Sequence, residues 1–247
     1  TVILCNTDED AVTEKSYIET MKQRWIDGFI VCSLGSDAPH IRALRDEGYP
    51  LVLVNRFEES DIGKVDTVSS DNYQIGYDAT RYLIRTGHKQ IAIACGREEL
   101  LLYRERLRGY RKAMEDNGLP VREEFILHEA GGNNGFYYQV RDLVEQGSVP
   151  DAIFCTSDPK AFVVMHALHD LGLRMPEDVA VIGVDNVSMA SMVEPPLSTI
   201  SQHLHDMGVA AAKSLIRQIE YKDKYGQLPK PQRTIMNSDL IVRRSTN

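Results

Sequence analysis

From one end to the other, the chain alternates short apolar runs of β-favouring residues with longer segments that are apolar on one side only. The runs are VILC at 2–5, GFIVC at 28–32, LVLV at 51–54, QIAIAC at 90–95, FILH at 125–128, AIFC at 152–155 and VAVIGV at 179–184. Between them lie amphipathic segments at 10–25, 38–48, 73–86, 100–118, 137–146 and 161–171. A run that is apolar at every position is buried on both faces, and a helix between two such runs is the crossover a parallel pair requires. The pattern therefore predicts an α/β protein with parallel sheets covered on both sides by helices. Gly118 and Gly172 close two of the helices, and Asp158, a good N-cap, precedes Pro159 at the start of another. Met207, Ala211, Leu215 and Ile219 recur every four residues, an apolar stripe on a long helix from about His203 to Tyr225. Residues 233–235 and 239–242 read as terminal strands. There is neither repeat nor Gly/Ser linker. So many βαβ units without a linker fit one large sheet, or two lobes whose strands cross between them.

Composition narrows the class. The 247 residues are 43% hydrophobic and 26% charged, as in an ordinary globular protein. No apolar run reaches the ~18 residues of a membrane-spanning helix. Lys and Arg number 28 against 36 acidic residues, a formal charge of -8, and they form no cluster able to follow a phosphate backbone. This stretch alone is expected to bind DNA poorly. Cys5, Cys32, Cys95 and Cys155 each close an apolar run, which predicts buried, unpaired thiols and a reducing cytoplasm.

In open parallel sheets ligands lie beyond the carboxyl ends of the strands, so the residues after each run form a set. Asn6 and Thr7, Ser33, Asn55 and Arg56, Arg97, Thr156 to Asp158, and Asp185 with Asn186 stand there. Many hydrogen-bonding groups with few cations suit a small hydroxylated molecule better than a nucleotide, although strand-to-helix loops are polar in any case. Phosphate-loop, dinucleotide, nucleophile-elbow and zinc-helix signatures are all missing. His166 and His169 lack a further ligand at metal spacing, and His203 and His205 lack a nucleophile to serve. Neither catalysis, cofactor nor metal is expected. One loop, Met189 to Val193, is unusually apolar. It reads as buried within the monomer or as an adaptable subunit interface formed by Met189, Met192 and Val193, with Phe162 and Met165 adding to the same contact.

These residues resemble the effector-binding core of bacterial lac and galactose repressor type transcription regulators. The likeness runs nearly end to end: LCNTDED at 4–10, RWIDGFIV at 24–31, SSDNYQIGYDATRYLIRTGHKQIAIACG at 69–96, RERLRGYRKAM at 104–114, PDAIFCTSD at 150–158, GLRMPEDVAVIGVDN at 172–186, PPLSTISQ at 195–202 and LIVRRS at 240–245. The resemblance implies two Rossmann-like lobes of the periplasmic-binding-protein type I, joined by three crossovers, with a small effector in the cleft between them. One lobe would comprise 1–68 and 201–238, the other 69–200 and 239–247. The crossovers would fall near 67–69, 197–201 and 237–239.

By the same resemblance Arg106 corresponds to a cleft arginine and Asp185 to an acidic residue that accepts effector hydroxyls; Asn55 and Ser157 match further cleft positions, with Asp158 beside Ser157. A guanidinium offers a rigid donor fork to a carboxylate, phosphate or vicinal diol, and a carboxylate accepts two hydroxyls at once. Without the resemblance, Arg106 between Arg104 and Arg108 would read as a solvated helix arginine. The stacking aromatic that relatives carry after the strand near His128 is replaced by Glu129-Ala130-Gly131-Gly132-Asn133-Asn134, which leaves Phe136 as a substitute or no stacked face at all. Ahead of Thr1 the family has a helix-turn-helix headpiece, a hinge helix and a first core strand and helix. A sheet lacking that strand would leave backbone groups unpaired, so the stretch is expected to be part of a longer protein. The implied function is a cytoplasmic, homodimeric regulator that senses a sugar-like metabolite and binds operator DNA through the headpiece. A periplasmic sugar-binding protein of a transporter is the alternative.

Overall fold

The computed structural model describes residues 1–32, 38–130 and 134–247. In chain order its elements are α1 (Ala11–Lys22), β1 (Phe29–Val31), α2 (Pro39–Asp46), β2 (Leu51–Val54), β3 (Asp66–Ser70), α3 (Asn72–Arg85), β4 (Ile91–Cys95), α4 (Leu101–Asp116), β5 (Ile126–His128), α5 (Gly135–Glu145), β6 (Ala152–Cys155), α6 (Asp158–Asp170), β7 (Ala180–Val184), β8 (Ser198–Ser201), α7 (Leu204–Tyr225), β9 (Arg233–Met236) and β10 (Asp239–Ile241). The chain divides into two compact units, one of Thr1–Ser69 with His205–Ile235 and one of Ser70–Leu204 with Met236–Asn247.

In the first unit the strands lie in the order β1-β2-β3-β9, with β1, β2 and β3 parallel. In the second the order is β10-β8-β7-β6-β4-β5, every pair parallel except β10 against β8. The alternation expected of a two-sided sheet is visible along β4. Ile91, Ile93 and Cys95 pack with Ile75, Leu83, Tyr110 and Met114 of α3 and α4, whereas Ala92 and Ala94 pack with Phe136, Leu143, Val164 and Leu168 of α5 and α6. Small alanines on one face and branched residues on the other let each helical layer approach at its own distance. The C-terminal tail is bound into this unit. Ser245 donates its amide to Pro196 and its hydroxyl to the Val181 carbonyl, and its own carbonyl accepts from the Val181 amide.

Two expectations need correction. VILC at 2–5 forms no strand, with Val2 94% and Leu4 93% exposed. β-favouring residues make a strand only beside another, and none of the described strands pairs with this one. The cysteines split accordingly: Cys95 and Cys155 are buried inside their strands, Cys5 is half-buried and Cys32, just past β1, is exposed. β3 was legible only as a crossover, because DTVSS has one aliphatic residue, yet all five positions are buried.

Candidate functional site

Parallel pairing brings the carboxyl ends of β4, β6, β7 and β8 to one edge of the second unit's sheet. The residues that follow them, Gly96, Thr156, Asp185 and Gln202, therefore share that edge. Arg106 reaches it from α4, which packs on α3 almost backbone to backbone. A Cβ at Gly76 would collide with the Arg106 carbonyl, and one at Gly109 with the Tyr73 carbonyl. These glycines let the two helices close up and so set how far Arg106 projects.

Arg106 is 1% exposed, which overturns its reading as a solvated helix arginine. Its Nε donates to Asn72 Oδ1 at 3.0 Å and one terminal nitrogen, Nη1, to the Thr156 carbonyl at 2.5 Å. The other terminal nitrogen, Nη2, is buried with no partner among the described residues. Burial lowers the guanidinium's pKa, and the charge of Asp185 is the strongest opposing influence. An arginine stays cationic regardless, so a buried donor is left waiting for an acceptor.

Asp185 stands at the tip of β7 with φ 117°, followed by Asn186 at 55°, a backbone that side-chain-bearing residues rarely adopt. Several contacts hold the turn. The Asp185 amide donates to the Ile200 carbonyl, Gln202 donates to Asp185 Oδ1 at 2.5 Å, and Arg243 donates to Asn186 Oδ1 at 2.7 Å. The Oε1 of fully buried Gln202 has no partner of its own. Ser70 Oγ, two residues before Asn72, is likewise buried and unpartnered. An orphan donor and orphan acceptors at the rim of one unit are what a polyhydroxylated or anionic ligand would satisfy.

Ser157 is the N-cap of α6, though its side chain makes no capping bond, and Asp158 occupies the first helical position, not the cap expected for it. Fully buried Asp158 accepts at Oδ1 from the Thr199 hydroxyl (2.7 Å) and at Oδ2 from the Val187 amide (2.9 Å), which ties α6 to β8 and to the turn after β7. A side chain at Gly183 would overlap that carboxylate. Burial raises the Asp158 pKa to about 6 against these two bonds. Beside it lies a residue the sequence reading passed over. Lys160, 4% exposed, has its ammonium 3.5 Å from Ser157 Oγ, 3.4 Å from the Tyr103 hydroxyl and 3.2 Å from Glu129 Oε2. In sequence it is one cation on a helix; no periodicity shows that α4 and the segment after β5 close over it.

In the first unit Asn55 follows β2 in the left-handed region (φ 61°), and its Oδ1 is buried without a partner. Ser33 and residues 131–133 lie outside the described residues. Phe136 is fully buried in the core of α5 and α6, so it supplies no stacking face. His166 and His169 are exposed, and among the described residues no group of three or more His, Cys, Asp or Glu could hold a metal. Of the expected interface residues, Met165 is a core side chain, and Phe162 and Val193 pack partly against that core. Met189 and Met192 are 54% and 78% exposed, while Ala190 between them is fully buried and anchors the loop. Burial of the loop within the monomer thus holds for Ala190 but not for its methionines. None of the helices among the described residues is long and apolar enough to cross a membrane.

A family model described as periplasmic binding proteins and sugar binding domain of the LacI family matches residues 1–240. The chain is 32% identical over 217 residues to catabolite control protein A of Priestia megaterium, covering 87% of this chain and 65% of that protein. It is 30% identical over 245 residues to the HTH-type transcriptional repressor PurR of Actinobacillus pleuropneumoniae serotype 3, covering 99% and 71%. It thus spans about two thirds of the length of these relatives. Among solved structures, a complex of the transcriptional regulator CelR with cellobiose superposes with TM-score 0.86 at 30% identity, covering 96% of this chain and 71% of that one. A LacI-family regulatory protein from Chloroflexus aggregans gives 0.81 at 27%, covering 98% and 83%. With an α/β fold on parallel-dominated sheets and a match over nearly its whole length, the chain belongs to the LacI family of transcription regulators and is similar to their periplasmic-binding-protein-like effector domain.

Proposed function

We propose that this chain is the effector-binding core of a ligand-controlled transcription regulator, and that it recognises a small polar metabolite, a sugar or sugar derivative, on the strand-end edge of its second unit. The observation that carries the reading is Arg106, a fully buried guanidinium with one donor nitrogen left without a partner and the Asp185 carboxylate close enough to act on its charge. Arg106 and Asp185 would supply donor and acceptor to ligand hydroxyls or an anionic group; Asn55, a candidate on the first unit by itself, carries an orphan carbonyl oxygen. Asp158, whose oxygens both have internal partners, would position Ser157 and the turn carrying Asp185. A relative of this fold in complex with cellobiose supports the sugar class.

The whole protein would be cytoplasmic and homodimeric, and would bind operator DNA through a segment outside this chain, since the chain's charge of -8 and scattered cations suit no phosphate backbone. Effector binding would favour one conformation of the core. A coupling of about 1 to 3 kcal/mol, or roughly 5- to 150-fold in operator affinity, makes a working switch. The test is calorimetry of the full protein against sugars, sugar phosphates and nucleobases. One class should bind, and Arg106→Ala should weaken it by about tenfold or more, the loss of a charge-assisted hydrogen bond. Unchanged affinity in that variant removes Arg106 from the site and the reading with it.

A further inference from the structure

We infer that the effector of this chain carries an anionic group, a phosphate ester or a carboxylate on a sugar-like body, and that Lys160 is the residue that selects it. The inference rests on the effector-binding reading above. Lys160 and Arg106 approach the same aromatic ring, at 4.7 Å and 5.9 Å from the centroid of Tyr103. They are linked through adjacent residues as well: Arg106 donates to the Thr156 carbonyl, and Lys160 contacts Ser157 Oγ. Two buried cations thus converge on the β6–α6 junction, next to the positive end of the α6 dipole, where the Ser157 side chain leaves the first-turn amides uncapped.

A buried ammonium is expensive unless strong acceptors surround it. Lys160 has three donors, yet its two hydrogen bonds run to neutral hydroxyls at 3.4 and 3.5 Å, the long end of the range. Its ion pair with Glu129 at 3.2 Å comes from a carboxylate that is itself partly exposed. Arg106 Nη2 has no partner. Together these are one unpartnered donor on Arg106 and three donors on Lys160 that are held only by long bonds and a partly exposed carboxylate, a pair well suited to the oxygens of one phosphate or carboxylate. In this account Glu129 balances the Lys160 charge while no effector is present.

The experiment is calorimetry of the full protein with a matched series of hexoses, hexose 6-phosphates and hexuronates, repeated on Lys160→Met. Methionine keeps helix propensity and volume while removing the charge. Wild type should bind a phosphorylated or carboxylated member at least about tenfold tighter than its neutral parent. Lys160→Met should bring the two within about twofold. Which derivative wins distinguishes phosphate from carboxylate. A neutral sugar bound as tightly as its charged derivatives, or a preference that survives Lys160→Met, overturns this inference while leaving the effector-binding reading intact. Binding by no member overturns this inference. Should Lys160→Met fail to fold, Lys160→Gln serves with the same expectations, since glutamine also lacks the charge.

Discussion

At the residue scale, Asp158 carries the clearest titration. Its carboxyl is pushed up from 3.8 to about 6 by burial, so between those values the folded state holds a proton that the unfolded state has released. A group with a raised carboxylate pKa makes stability fall as pH climbs through that window and leaves it level above. Wild type should therefore lose stability relative to Asp158→Asn between about pH 4 and pH 6, on the order of 3 kcal/mol at about 1.4 per unit. Urea melts at stepped pH read it; a flat difference would mean the carboxylate is already ionised at pH 4. Asp158→Ala strips partners from the Val187 amide and the Thr199 hydroxyl and should cost about 1 to 3 kcal/mol at neutral pH. Both groups belong to elements 29 and 41 residues away in sequence, which is why Asp158 reads as a helix cap until the chain is folded.

At the scale of elements, the pairing of α3 with α4 governs the site. Gly76 and Gly109 face each other's helix backbones at φ values ordinary for a helix, so their role is space, not backbone freedom. A single methyl at Gly109 has nowhere to go except into the Tyr73 carbonyl and the Tyr77 amide. Gly109→Ala should cost about 2 kcal/mol or more in a denaturant melt by forcing the helices apart. It should also weaken effector binding, because Arg106 sits one turn away on the same helix. Gly118→Ala, at a helix end with open space around it, is the contrast: strained by its φ of 66° but without effect on binding. Measured affinity that is untouched by Gly109→Ala would mean α4 can shift without moving Arg106.

On the scale of the whole molecule, the loop methionines Met189 and Met192 are among the exposed large apolar side chains. Ala190 pins the loop to the core and presents Met189 and Met192 outward, in the manner of an adaptable apolar contact. We propose that Met189 and Met192, flanked by Phe162 and Val193, form part of a homodimer interface. Sedimentation of the full protein should give a dimer, and Met192→Asp, which places a charge in an apolar contact, should shift it toward monomer. A dimer of unchanged affinity in Met192→Asp would place the interface elsewhere.

The class of fold was written in local chemistry: each of the fully apolar runs from 51 to 184 became a strand, and the glycines at 118 and 172 closed helices, because burial on two faces and positive φ constrain residue type directly. The family was legible for the same reason, as motifs are strings of neighbours. Where neighbours along the chain are not neighbours in space, the reading stopped. VILC had the composition of a strand but no strand to pair with, DTVSS became a fully buried strand despite its polarity, and Met165 went inward. Lys160 acquired its surroundings from Tyr103 and Glu129, and Arg106 its burial from Asn72 and Thr156, contacts that exist only once α3, α4 and α6 have packed on the sheet. Propensity and pattern act over a few residues, whereas desolvation and the pairing of charges depend on everything that closes around a group, and that is settled only by packing.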